Sequence, residues 1–171
     1  MRTEHCNFLA KYNGWMNDRL FTVCADIPDH ARKTDRGAFF SSVHGTLNHV
    51  LLADRIWLGR FQKIPYPATR LDAILYADFA ELRTARALED ERISAWCKTL
   101  DEAALSSSMT YTGIVEPVTR TCTLWIAVTH FFNHHTHHRG QLTTLLAQMD
   151  VDYGATDMIA MPDVLQQLDE I

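Results

Sequence analysis

Between Phe39 and Phe61 the chain carries Val43, Leu47, Val50, Leu51, Leu52, Ile56, Trp57 and Leu58. In helical register these residues cover most of the circumference, and a helix of that kind is buried on more than one side. Other segments must therefore wrap it. Ser41 or Ser42 is placed to cap its start, with Phe39 and Phe40 either leading in or already helical.

Three further long helices are available to do the wrapping. From Thr3 to Ala25, apolar residues at Phe8, Leu9, Tyr12, Trp15, Met16, Leu20, Phe21 and Val23 keep helical spacing until Ile27-Pro28-Asp29 ends them. After Pro65-Tyr66-Pro67, a third helix is expected from about Leu71 to Leu100 or beyond, with an exposed face rich in Glu and Arg. A fourth starts at Cys122 or Thr123 and runs to about Met149. Just before it, Met109–Thr112 and Val118–Thr121 alternate and are β-branched around Gly113-Ile114-Val115-Glu116-Pro117, the pattern of a small hairpin. Pro162 and Asp163 open a short C-terminal helix. The expectation is an all-α, up-and-down-type four-helix bundle with a hairpin before the last long helix, forming one domain over residues 1–171.

A net charge of -5 with no Lys/Arg cluster argues against a nucleic-acid partner. The apolar runs are too short to span a bilayer, and the polar start is no signal peptide. Cys6, Cys24, Cys97 and Cys122 form no CxxC pair and fit reduced thiols in a cytoplasmic protein.

Five histidines fall between His130 and His138, and Arg139-Gly140-Gln141 follows. His134 and His138 are four apart, which on a helix stacks them about 6 Å apart on one face, where they can close on one metal ion. Such pairs also occur on solvated surfaces. A third ligand has to come from elsewhere: His5, His30, His44 and His49 are the candidates. His30 lies in a polar linker and His5 near a terminus. His44 and His49 lie on the apolar second helix, five apart and pointing in different directions. His49 is deeper in that helix and is favoured, although a lone buried histidine is more often a hydrogen-bonded core residue. His130 shares the face of His134 and either replaces a ligand or supports one. His135 and His137 point away from that face and are expected to be solvated or capping neighbours. Position 135 is His where a metallopeptidase HExxH motif needs its glutamate base, so that chemistry is disfavoured.

Three stretches carry a resemblance. Leu9-Ala10-Lys11-Tyr12-Asn13-Gly14-Trp15-Met16-Asn17-Asp18-Arg19-Leu20 is similar to an opening Y-x-x-W-x-N-x-R-L helix. Ser42 to Trp57, with His44, Asn48, His49, Asp54 and Arg55, resembles the matching second-helix motif. Asn133-His134-His135-Thr136-His137-His138-Arg139-Gly140-Gln141 resembles a closing N-H-x-x-H-H-R-G-Q signature. In this order they resemble the DinB family of four-helix proteins. The resemblance implies a divalent metal, nickel or zinc, held by His49, His134 and His138, and a bundle that often forms homodimers. It also implies, for some members, transfer chemistry with a low-molecular-weight thiol such as bacillithiol, mycothiol or glutathione, on an electrophilic small molecule. Many members have no established activity.

Three neutral imidazoles leave a divalent ion doubly positive with an open position, where a thiol ionises. Arg55 and Arg139 are candidates to hold an anionic group of thiol or substrate, or are structural. Asp54 is either a support for a ligand or a salt-bridge acceptor. The alternatives are a non-catalytic stress-response module stapled by its ion, and a metal-dependent hydrolase. A homodimer is also expected from the surplus of apolar surface on the first two helices, unless Met158, Ile159, Met161 and Leu165 cover it.

Overall fold

The computed structural model describes residues 2–169. Four long helices form the bundle: α1 (Thr3–Ala25), α3 (Val43–Phe61), α4 (Phe79–Cys97) and α6 (Leu124–Ala147). α1 packs on α4, α3 packs on α6, and α3 also meets α4. Two five-residue helices, α2 (Asp29–Lys33) and α5 (Glu102–Ser106), fill linkers that sequence had left irregular or assigned to a neighbour. β1 (Ser108–Thr112) and β2 (Thr119–Thr123) form the antiparallel hairpin directly before α6. A 3-10 turn at Met158–Ala160 leads into α7 (Pro162–Asp169). Among the described residues no helix is long and apolar enough to cross a membrane.

Helix α3 begins later than its apolar pattern suggests. Ser41 takes a left-handed conformation (φ 62°), and Ser42 caps the helix by accepting from Gly45 N at 3.0 Å. Phe39 and Phe40 are thereby left in a turn before the helix. Gly45 permits this turn, because a Cβ there would lie 2.1 Å from the Phe40 carbonyl oxygen.

The end of α3 reverses the chain. Lys63 sits in the left-handed region (φ 60°), Ile64 N donates to Gly59 O at 2.8 Å, and Lys63 N donates to Arg60 O at 3.3 Å. These are the paired bonds of a Schellman motif. Gly59 lets the chain double back closely, since a Cβ would meet Ile64 O at 2.6 Å. Residues 64–78 then return along α3 without regular structure. The third long helix therefore starts at Phe79, not near Leu71. Its boundary is set by Asp78, whose carboxylate accepts from Glu81 N at 2.9 Å.

Two apolar clusters fill the bundle. One gathers Tyr12, Met16, Leu20, Leu47, Leu51, Leu142, Leu146 and Met161. The other gathers Cys6, Ala10, Trp57, Leu58, Ile93, Trp96, Cys97 and Phe131. Buried polar residues fall between the two sets on three helices, Asp54 on α3, Arg86 and Glu89 on α4, and His135 and Arg139 on α6; the half-buried Asp90 and the buried Asn13 and Asn17 of α1 adjoin them. Burying this many polar groups is tolerable because most of them satisfy one another, His135 Nδ1 being left without a partner among the described residues. The expected Glu/Arg-rich surface of the third helix thus includes two charges, Arg86 and Glu89, that are inside the protein. Of the C-terminal residues that were the alternative to a dimer as cover for the apolar surface, Met161 is buried, whereas Met158, Ile159 and Leu165 are exposed.

Candidate metal centre

His49 projects from α3 toward α6, where His134 and His138 lie one turn apart. The Nε2 atoms of His49 and His138 are 3.1 Å apart, and those of His138 and His134 are 3.0 Å apart. One ligand atom from each ring falls within 4.8 Å of the others. Nitrogens bound to a common tetrahedral ion at zinc-like distances are separated by about 3.3 Å, so this spacing suits a shared cation.

The far sides of the rings explain why these nitrogens face inward. His49 Nδ1 is 2.7 Å from the Leu71 carbonyl oxygen, an acceptor only, so the ring proton sits on Nδ1. His138 Nδ1 is 2.8 Å from Gln141 Oε1 and is held the same way. Both Nε2 atoms therefore present lone pairs to each other. Two lone pairs at 3.1 Å with no proton between them repel, and a cation between them removes the repulsion. Orientation of a ligand histidine by a carbonyl on its other nitrogen is a general feature of metal sites. The irregular return of residues 64–78 supplies that carbonyl for His49. The same segment places Tyr76 O 2.8 Å from His44 Nε2 and 3.2 Å from Asn48 Nδ2.

Phe40 closes one side. Its ring stacks on His49 with centroids 3.7 Å apart and lies 5.6 Å from His138. On the other side the exposed His130 ring is 5.9 Å from that of His134 and 5.0 Å from Trp57. His130 thus neighbours the centre without joining it. His44 is hydrogen-bonded to Tyr76, and His5, His30 and His137 are exposed.

His135 departs from expectation. It is fully buried, with Nε2 2.6 Å from Asp54 Oδ1. Asp54 in turn accepts from Arg86, and Arg86 is 3.0 Å from Asp90. Burial pushes the Asp54 carboxyl up, but His135 and Arg86 outweigh it and hold the group below its ordinary value. Asp54 supports the helix beside His134 and is not itself among the three converging side chains. Arg139 is buried: it donates to Asn13 Oδ1 at 2.9 Å and Thr136 Oγ1 at 3.1 Å and lies over the Tyr12 ring. Arg55 donates to the Tyr76 hydroxyl at 3.0 Å and pairs with Glu89 at 3.5 Å. It borders a cavity with Tyr76 and Leu88 that contains none of the three histidines.

The profile of the DinB family matches residues 1–168. The chain belongs to the DinB family. Protein DinB of Bacillus subtilis (strain 168) is 25% identical over 159 residues, covering 87% of this chain and 88% of the relative. All three stretches that carried the resemblance lie within the matched DinB region, and the histidines implied by it are the three that converge.

Acid should destabilise the fold around these histidines in a defined direction. Burial, reinforced by the neighbouring histidines, lowers His134 to about 3. Burial outweighs the Gln141 bond and lowers His138 to about 4. In an unfolded chain both would titrate near 6.5. As pH falls from about 6.5 toward 4 the unfolded state takes up protons that the folded state refuses, so stability falls with it. The urea midpoint of metal-free protein is expected to drop between pH 7 and pH 5. A His134→Gln/His138→Gln double variant should lose much of that dependence. An equal drop in both proteins would contradict the assignment.

Proposed function

We propose that this protein binds nickel or zinc through His49, His134 and His138 and uses it to transfer a low-molecular-weight thiol to an electrophilic small molecule. One observation carries the reading: the buried lone pairs of His49 and His138 are aimed at one another, and each of these two rings is fixed by an acceptor behind it. When bound, the metal supplies a positive charge that makes a thiol ionise near neutral pH. The chain's own residues do the rest. Leu71 and Gln141 hold the imidazole tautomers, Phe40 excludes water from the His49 side, and Asp54 with His135 fixes α3 against α6. Arg55 and Arg139 are already engaged by protein acceptors.

The stacking of Phe40 on His49 also favours a second reading, in which the ion only staples α3 to α6. The two are separated by incubating nickel- or zinc-loaded protein with glutathione, bacillithiol or mycothiol and a model electrophile. Conjugation should exceed that of His134→Ala by at least about a hundredfold, as for loss of an activating group. Metal content of one per chain with no conjugation by any thiol would support the staple, and turnover with water alone would support a hydrolase.

A further inference from the structure

Arg36 stands apart from the other arginines that border cavities. Arg55, Arg83, Arg86 and Arg139 each donate to side-chain oxygens. Arg36 has one long bond, from Nη2 to Ala31 O at 3.5 Å, and its Nε is buried without an acceptor. Among the described residues it has no ion-pair partner. An unpaired guanidinium with a buried donor is costly unless a ligand completes it.

Arg36 borders two cavities: one shared with Asp26 and Asp152, whose carboxylates disfavour an anion, and a second of suitable shape. A groove of about 440 Å³ runs between the turn bearing Arg36 to Phe39 and one face of α6 from His137 to Gln148. That stretch of helix spans about 16 Å. None of the three converging histidines lines the groove; its link to them is Gln141, which holds His138 and lines the groove with Thr144 and Gln148. The volume is within the usual range for small-molecule sites. The turn is fixed: Arg36 N donates to Ser41 O at 2.7 Å, and Phe40, in the same turn, is the residue stacked on His49. One rigid turn therefore carries both a shield over the candidate metal centre and an unpaired cation beside a groove.

We infer that this groove binds the acidic part of a small thiol, with a carboxylate on Arg36 and the thiol end toward His138. This rests on the thiol reading above and names the class of thiol: one bearing carboxylates. Arginine suits the role because its planar donors take a carboxylate through two bonds. Gln148 and Thr144 add neutral hydrogen-bonding groups along the way.

Calorimetric titration separates this inference from the reading it rests on. The probes are glutathione, S-methylglutathione, which keeps both carboxylates and lacks the thiol proton, and glutathione diethyl ester, which keeps the thiol and lacks both carboxylates. S-Methylglutathione should bind metal-loaded wild type, and Arg36→Met should weaken it by about tenfold or more, with Arg36→Lys intermediate. The diethyl ester should bind both proteins alike. If S-methylglutathione binds through Arg36 but glutathione gains nothing from metal and forms no conjugate, the groove stands and the thiol chemistry falls. If glutathione binds the metal form equally well with and without Arg36, the chemistry stands and the groove assignment is overturned. No binding of S-methylglutathione to wild type overturns it as well. The ester control shows whether Arg36→Met has damaged the site as a whole.

Discussion

His138→Ala is expected to abolish stoichiometric metal binding. His138 is the middle member of the triad, with its Nε2 3.1 Å from that of His49 and 3.0 Å from that of His134. Removing it leaves two nitrogens on different helices without the one that faces both. Retained metal should fall from one ion per chain to less than about a tenth, since a three-ligand site has no spare donor. Stabilisation by metal should vanish with it. At a free metal concentration about 100 times Kd, wild type gains about 2.7 kcal/mol, whereas the variant should gain almost nothing. Chelator should lower the melting temperature of wild type and leave the variant unmoved. Metal content by elemental analysis decides the matter: an undiminished ion would remove His138 from the site.

Arg86→Leu should be the most damaging substitution away from the histidine triad. Arg86 is 2% exposed, and its guanidinium lies between Asp54 and Asp90. Asp90 also accepts from Asn17 at 2.8 Å, which links α1 to the same band. Deleting the cation leaves two carboxylates in the interior with too few donors. Breaking a buried pair in this way costs about 3–5 kcal/mol. For a chain of this size that is about 6–20 °C in melting temperature. Adding Asp54→Asn and Asp90→Asn to Arg86→Leu should recover part of the loss, because the charges that had lost their partner are gone. A melting temperature within about 2 °C of wild type, below the shift for 1 kcal/mol, would show that the band is hydrated and weakly coupled.

The sequence revealed the histidines better than the polar band. His134 and His138 were legible because helical spacing alone puts them on one face, and His49 because an imidazole within an apolar helix needs a partner. The hairpin and the four long helices followed from periodicity. His135 was not legible: its position says only that it points away from its neighbours, and whether that direction meets water or Asp54 depends on how α3 lies against α6. Arg86 and Glu89 share the buried side of α4 with Leu82 and Ile93, yet charged residues are usually solvated, and the surface reading prevailed. The false start of the third helix had a local signal. Asp78-Phe79-Ala80-Glu81 is a capping-box pattern, but apolar Leu71, Ile74 and Leu75 continued the helical rhythm ahead of it. Helices α2 and α5 have five residues each, too few for a period to show.

The hydrogen bond behind His49 has a consequence for how this protein can vary. Its acceptor is the main chain of residue 71, not a side chain. Every amino acid supplies that oxygen, so exchanges at position 71 leave the ligand oriented provided the chain keeps its course. What the histidine senses is the length and direction of the return from Gly59. A single-residue insertion or deletion between Lys63 and Leu71 would shift a carbonyl out of register and turn the imidazole, while many replacements along the same stretch would pass unnoticed. The segment is thus tolerant of spelling and intolerant of length.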